Sequence, residues 1–271
     1  MAYLIAATDF TDVANNAVHY ACQLAQDLHA SVQLVHSFMV PVSFGDNPMP
    51  VIPVDEGREI AEERMNQHLA ELRAQYPGLS ISGQISFGDI VDSLDDLTED
   101  TKPLMIIIGN SGTDDSFLWM GSNVLSVMRH LRLPVLAIPL GFQYKQPRRI
   151  CYATDYKKID KQLLEDLVQF IRTTQAKLHI LHVSAEANGN IPETPDAHLL
   201  QHTLQPVAPE YHYLHSEKAE DGIHEFINTH AIDILIVVPH KQSFWESLFH
   251  KSLTKAMVKS CHIPVAAFHE S

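Results

Sequence analysis

The stretch LMIIIGNSGTDDSFLWMGSN, residues 104–123, carries the strongest structural signal in the sequence. An apolar run leads into a segment from Gly109 to Gly112, and a further glycine follows at Gly121. This order is typical of a buried strand, a glycine-containing loop and the first turn of a helix. Because the backbone N–H groups of such a loop can bind phosphate, the stretch predicts a candidate anion site.

Apolar runs and helical patterns alternate along the whole first half of the chain. The first predicted strand begins at residue 3, and a helix that Thr11 is expected to cap follows it. This alternation predicts an α/β fold with a parallel sheet and helices on both faces. The predicted strands are residues 3–8, 31–36, 80–87, 104–108 and 134–139, and the later helices are residues 58–75, 88–99 and 122–130.

The second half repeats the first. RRICYATDY matches YLIAATDF, KLHILHV matches SVQLVHS, and HIPVAAF matches LPVLAIP. Asp155 follows Asp9 by 146 positions, whereas Pro264 follows Pro134 by 130, so the second copy is shorter by 16 residues. A repeat of this length predicts two similar domains. We expect them at residues 1–140 and 148–271, with the missing length in the second helix and the loop before it.

The composition excludes several kinds of partner. A formal net charge of −14 argues against nucleic acid and anionic membrane surfaces, since both require clustered Lys and Arg. No run approaches the roughly 18 apolar residues of a membrane helix, and the first residues lack a basic, apolar leader. The three cysteines are too few and too scattered for a disulfide framework, so we expect them to be reduced thiols. A cytoplasmic protein is therefore expected.

Seventeen histidines raise the question of a metal site. His179 and His182 lie three positions apart on a predicted strand, and His212 and His215 repeat that spacing. Because side chains alternate along a strand, the two rings of each pair should face opposite sides of the sheet. The spacing therefore predicts surface or core histidines and no metal site.

Five motifs stand out: ATDF at 7–10, LVHSF at 34–38, IIIGNSG at 106–112, GSN at 121–123 and LPVLAIP at 133–139. Together they resemble the universal stress protein family in its tandem form. The resemblance implies two flavodoxin-like, doubly wound domains, each with a five-stranded parallel sheet. In the nucleotide-binding branch it implies an ATP site at the carboxyl ends of the strands.

The residues that this resemblance assigns to ATP are Asp9, Ser37, Gly109, Gly112, Gly121, Ser122 and Asn123. Independently of the family, Gly109 and Gly112 would permit positive φ and close approach of an anion. Ser122 would lie at a helix N-terminus, where unpaired N–H groups favour phosphate. The alternative is that these glycines only shape a turn between strand and helix.

The loop departs from the family pattern in two ways. Eight residues, 113–120, separate Gly112 from Gly121 where the nucleotide-binding pattern has nine. Asp114 and Asp115 also place two carboxylates in the loop, with no Lys or Arg between Gly109 and Val127. Like charge opposes a triphosphate, so weakened or Mg²⁺-dependent binding is expected.

The second copy has lost these glycines. Pro239, Gln242 and Lys251 stand where the first copy has Gly109, Gly112 and Gly121. Proline removes an N–H donor, and the larger side chains fill space that phosphate would need. Phe244, Trp245, Leu248 and Phe249 recur at helical spacing, which predicts an amphipathic helix packed over the site or onto a partner. The second domain is thus predicted to be degenerate, with Asp155 in a turn.

No pattern in the chain predicts enzymatic turnover. There is no GxSxG, no local Cys–His signature and no GK[ST] phosphate loop. We expect a non-enzymatic binding or regulatory module with one adenine-nucleotide site in the first domain. Two alternatives stay open: a nucleotide hydrolase or phosphotransferase with Mg²⁺ on Asp9 or Asp114, and a purely structural interaction protein. Residues 134–139 and 263–268 are expected to pair as fifth strands in an intrachain pseudo-dimer, and a homodimer of the whole chain is left open.

Overall fold

A computed structural model describes residues 2–39, 53–99, 102–111, 121–185, 192–238 and 262–269. Ten strands and seven α-helices lie within these ranges. The strands are β1 (Tyr3–Ala7), β2 (Ser31–Phe38), β3 (Ile81–Phe87), β4 (Ile106–Asn110), β5 (Val135–Pro139), β6 (Arg149–Ala153), β7 (Lys177–Ser184), β8 (Glu210–His215), β9 (Ile234–Val237) and β10 (Val265–Ala267). The helices are α1 (Asp12–Asp27), α2 (Val54–Gln75), α3 (Ile90–Glu99), α4 (Gly121–His130), α5 (Lys161–Thr174), α6 (Pro195–Leu204) and α7 (Ala219–His230).

Each half of the chain forms a five-stranded parallel sheet. The strand order is β3-β2-β1-β4-β5 in the first half and β8-β7-β6-β9-β10 in the second. All neighbours within a half are parallel. The prediction of two flavodoxin-like domains in tandem is therefore confirmed.

The two halves join through their fifth strands. β10 pairs antiparallel with β5, placing Val265 opposite Ala137 and Ala267 opposite Val135. This bears out the predicted pairing and merges the halves into one ten-stranded sheet. All three residues of β10 are buried, because a strand at this junction has neighbours on both sides.

Apolar side chains cover both faces of the sheet. One core layer includes Ala17 of α1, Met65 of α2, Leu163 of α5 and Leu200 of α6. The other core layer receives side chains from α3, α4 and α7. Central strands such as β1 and β4 are nearly all apolar, since each face of a parallel sheet is covered by helices.

The second helix of each half shows where sequence patterns were accurate and where they were not. α2 begins at Val54, four residues before the predicted start, and its first turn carries Asp55 and Glu56, which favour a helix N-terminus. Ile60 is 43% exposed although it is apolar, and the neighbouring Ala61 is buried. α6 has 10 residues where α2 has 22, which confirms that the second copy is shortened here.

The segment between β5 and β6 is tied to both halves. The Asp233 carboxylate, which precedes β9, accepts hydrogen bonds from the backbone N–H groups of Arg148 and Arg149, both at 2.9 Å. Lys145 Nζ lies 2.6 Å from the other carboxylate oxygen. Burial raises the pKa of Asp233, but the Lys145 ion pair and the two N–H donors outweigh it and hold that pKa below its usual value. Tyr144 donates a hydrogen bond to Asp27 of α1 at 2.5 Å.

None of the helices that the described ranges contain is both long and apolar enough to cross a bilayer.

Candidate functional site

The predicted nucleotide site lies where the strand order of the first domain reverses. β1 lies between β2 and β4, and the helices that follow β1 and β4 pack on opposite faces of the sheet. Connections that diverge in this way leave a crevice at the carboxyl ends of the strands, where open α/β sheets bind ligands. Asp9 follows β1 and Gly109 lies near the end of β4, so both border this crevice.

Asp9 stabilises the turn that starts α1. Its Oδ1 atom accepts hydrogen bonds from Thr11 N at 3.0 Å and Thr11 Oγ1 at 2.6 Å. Thr11 in turn caps the helix by accepting from Ala14 N, as predicted. Phe10 adopts a left-handed backbone with φ of 62°, which this tight turn imposes. Asp9 itself is exposed at the crevice.

Ser37 lies inside β2 rather than beyond its end. Its hydroxyl donates to the carbonyl oxygen of Gly88 and accepts a weak contact from Ser93 Oγ at 3.5 Å. Next to it, His36 Nδ1 lies 2.7 Å from the carbonyl oxygen of Thr8, and the Phe10 ring packs on the His36 ring at 4.5 Å. Ser37 therefore links the ends of β2 and β3 at the edge of the crevice.

Gly109 belongs to β4, where it pairs with Ile138. Its φ lies outside the left-handed region, so the freedom of glycine to adopt a positive φ is not used here. A Cβ atom at this position would lie 2.5 Å from the carbonyl oxygen of Val13 in the first turn of α1. Glycine is required here because the backbones of β4 and α1 are in contact.

The phosphate side of the predicted site is described only in part. Gly112, Asp114 and Asp115 lie outside the described residues. Gly121, Ser122 and Asn123 form the first turn of α4, which starts one residue earlier than predicted. The topology places this helix N-terminus after β4, at the same edge of the sheet as Asp9.

The second domain repeats the turn of the first. Asp155 Oδ1 accepts from Lys157 N at 3.1 Å, so the predicted turn role of Asp155 is confirmed. His182 Nδ1 lies 2.8 Å from the carbonyl oxygen of Thr154. In the first domain, His36 Nδ1 makes the equivalent contact with the carbonyl oxygen of Thr8. Tyr156 has the same left-handed φ as Phe10, at 58°. The residues aligned with the glycine loop, 239–252, lie outside the described part of the chain.

At the equivalent edge of the second domain, the residues that the structure describes enclose little space. The described residues there outline a cavity of 10 Å³, which Val183, Ala219 and Ile223 line on the side of α7. Asp155 Oδ2 is buried and has no hydrogen-bond partner. A volume of this size holds about one water molecule and no nucleotide.

A cavity of 870 Å³ lies at the opposite end of the sheet from the predicted site. Met105 and Pro134, at the amino ends of β4 and β5, line it together with Phe170 of α5 and Phe268. The cavity therefore does not coincide with the crevice that Asp9 borders.

Side-chain spacing within single strands did not reveal one group of residues that lies across two neighbouring strands. His179 and His182 do face opposite sides of the sheet, as expected: His179 packs near Phe226, and His182 near Tyr156. Across strands, however, His179 meets Glu210 and His212 of β8. The sequence signal for this group is the pair of runs KLHILH and EYHYLH, once they are taken as neighbouring strands.

Comparisons with known proteins agree with this architecture. Universal stress protein Slr1230 of Synechocystis sp. is 23% identical over 295 residues, spanning 99% of this chain and all of the relative. Universal stress protein G of Escherichia coli O157:H7 is 30% identical over 134 residues, 47% of this chain and 89% of that protein. The crystal structure of a universal stress protein from Archaeoglobus fulgidus superimposes with a TM-score of 0.73 at 15% identity, covering 99% of this chain and 98% of that one.

The model of the family described as universal stress protein matches the chain twice, at residues 4–139 and 147–269. The two matches coincide with the two five-stranded halves of the sheet. The chain therefore belongs to the universal stress protein family and carries two of its domains in tandem.

Proposed function

We propose that the protein is a non-enzymatic stress-response module that binds one adenine nucleotide, ATP in the first instance, in its first domain. The observation that supports this most is the convergence of Asp9, the end of β4 and the N-terminus of α4 at the strand-order reversal. Such a helix N-terminus offers N–H groups and a positive dipole end to phosphate.

The described side chains fit this proposal in part. Asp9 is exposed at the crevice, and its Oδ1 atom accepts a hydrogen bond from the Thr11 hydroxyl. If Mg²⁺ accompanies the nucleotide, Asp9 is the described carboxylate that would hold it, and the ion would offset the charge of Asp114 and Asp115. Gly109 contributes by letting α1 approach β4, and we assign it no direct contact with phosphate.

The second domain is proposed to bind no nucleotide. Its corresponding edge is narrow where described, with room for about one water. Its sequence also replaces all three loop glycines, with Pro239 first among them. We place this function in the cytoplasm, consistent with Cys22 and Cys151 being buried thiols rather than disulfide partners.

The test is a thermal-shift titration of the full chain with ATP, ADP and AMP, with and without Mg²⁺. A ligand at one hundred times its dissociation constant should stabilise the fold by about 2.7 kcal/mol. Gly121→Glu places a carboxylate at the start of α4, where it favours folding but opposes phosphate, so the shift should disappear. Ser126→Glu puts the same charge further along α4 and should keep the shift.

Two results would overturn the proposal. An absence of stabilisation by any of the three nucleotides at millimolar concentration would favour a purely structural protein. Steady phosphate release from ATP that Asp9→Asn abolishes would favour a nucleotide hydrolase, with Asp9 as its metal ligand.

A further inference from the structure

A group of three metal-binding side chains lies on the outer strands of the second domain. His179 of β7 stands opposite Glu210 of β8, and Leu181 stands opposite His212. Because side chains alternate along each strand, His179, Glu210 and His212 project from the same face of the sheet. We call them the β7–β8 triad.

The atoms of the triad are close enough to share one ion. His179 Nδ1 lies 3.0 Å from His212 Nε2 and 3.6 Å from Glu210 Oε2, and the last two atoms are 4.0 Å apart. A point equidistant from all three lies about 2.1 Å from each, by plane geometry on these separations. Zinc bonds to imidazole nitrogen and carboxylate oxygen are roughly 2.0–2.2 Å long.

The surroundings orient these ligands. Lys177 Nζ lies 2.5 Å from Glu210 Oε1, which leaves Oε2 directed at the two histidines. Carboxylates that bind metal ions are themselves usually hydrogen-bonded to a neighbouring group. On the other side, the rings of Phe226 and His230 from α7 pack against His212 at 4.7 and 5.1 Å.

Both imidazoles of the triad are at least partly buried. His179 is 3% exposed, and its Nε2 atom is buried with no hydrogen-bond partner. Burial, together with the neighbouring histidines, lowers the pKa of His179 and of His212. A metal ion on Nδ1 would place the proton of the neutral His179 ring on Nε2.

We propose that the β7–β8 triad binds one divalent transition-metal ion, Zn²⁺ in the first instance, through His179 Nδ1, His212 Nε2 and Glu210 Oε2. Glu210 is 47% exposed, which gives the ion a path from solvent and leaves a fourth position to water. Two imidazole ligands favour zinc, cobalt, nickel or copper over magnesium and calcium, which prefer oxygen.

The ion would fix the outermost strand of the second domain. Among the strands that the structure describes, β8 is the last of the sheet and has β7 as its one neighbour. The triad takes one ligand from β7 and two from β8, so a bound ion would hold the edge strand in register. This site belongs to the domain that we propose binds no nucleotide, and it does not depend on the nucleotide proposal.

The test is a Co²⁺ titration of the full chain after treatment with EDTA and desalting. We expect one Co²⁺ per chain, the visible absorption of a four-coordinate site, and displacement by one equivalent of Zn²⁺ but not by excess Mg²⁺. Glu210→Gln and His212→Gln each should weaken binding at least tenfold. His215→Gln should leave it unchanged, since His215 lies on the same strand but on the opposite face.

Circular dichroism should show that all three variants fold, because the substituted side chains are partly or fully exposed. Absence of stoichiometric Co²⁺ and Zn²⁺ binding in the unmodified chain would overturn the proposal. Unchanged binding in both Glu210→Gln and His212→Gln would also overturn it, since other histidines among the seventeen would then hold the metal.

Discussion

The carbonyl oxygen of Val13 lies 2.5 Å from the position that a Cβ atom on Gly109 would occupy. Real Cβ atoms essentially never approach another atom below 3.0 Å. The first turn of α1 therefore packs directly against the backbone of β4. This contact alone explains why residue 109 is glycine, whether or not a ligand binds beside it.

Replacing Gly109 with alanine should lower the free energy of unfolding by about 1–3 kcal/mol, the usual cost of overpacking a core. The obstacle is backbone, so no rotamer change can relieve it. Urea denaturation monitored by circular dichroism measures the loss.

Gly83→Ala is the matched control. Gly83 is also inside a strand, but its added Cβ would meet the Met65 sulfur at 2.7 Å and a Leu69 methyl at 2.9 Å. These side chains can move, so the loss should be smaller. A loss for Gly109→Ala no larger than that for Gly83→Ala would show that α1 shifts away from β4 at little cost.

Asp233→Asn should destabilise the chain by about 1.5–3 kcal/mol at pH 7, the range for hydrogen bonds to a charged group. The substitution removes the charge that Lys145 and two backbone N–H groups bind. Chemical denaturation at pH 7 measures the difference. Asp96→Asn, at an exposed position of α3, should change stability by less than about 0.5 kcal/mol.

The contribution of Asp233 should also depend on pH in a defined direction. Its pKa is lower in the folded chain than in the unfolded one, so its stabilisation is complete above the unfolded value near 3.9. The stabilisation is then lost as pH falls through the folded pKa. The parent chain and Asp233→Asn should therefore differ less in their free energy of unfolding as denaturation is repeated at pH values approaching 3. A difference that stays constant with pH would contradict this assignment.

Several buried or half-buried histidines should make the whole fold less stable under mild acid. Burial lowers the pKa of His19, His68, His179, His212 and His269. Below about pH 6.5 the unfolded chain then binds more protons than the folded chain, so the free energy of unfolding falls as pH drops from 7.5 to 5.5. Urea denaturation in EDTA at three pH values measures this slope.

His212→Gln should reduce that slope, because it removes one of the histidines with a lowered pKa. His215→Gln is the control on the same strand and should leave the slope as it is. A slope that is flat in the parent chain would contradict the assignment of these histidines as neutral buried groups.

Much of the fold was predictable because its central strands are covered on both faces. Such strands are apolar throughout, and the run at β4 could be recognised without any partner. Its end was harder to place, since glycine suggested a loop. β4 continues through Gly109 to Asn110 because both residues pair with β5, at Ile138 and Pro139.

The candidate sites depended more on contacts that sequence spacing does not reveal. The constraint on Gly109 comes from Val13, which is distant along the chain. The β7–β8 triad depends on the register that places His179 opposite Glu210. Spacing within one strand gives the direction of each side chain but says nothing about its neighbour on the next strand.

The antiparallel pairing of β5 with β10 is formed within a single polypeptide. Its strength therefore depends on an effective concentration set by the connecting segment, and dilution of the protein should not separate the two halves. In a symmetric dimer every substitution appears twice, once in each subunit. In this chain it appears once, so one half can lose a ligand site or gain another while its counterpart keeps its own chemistry.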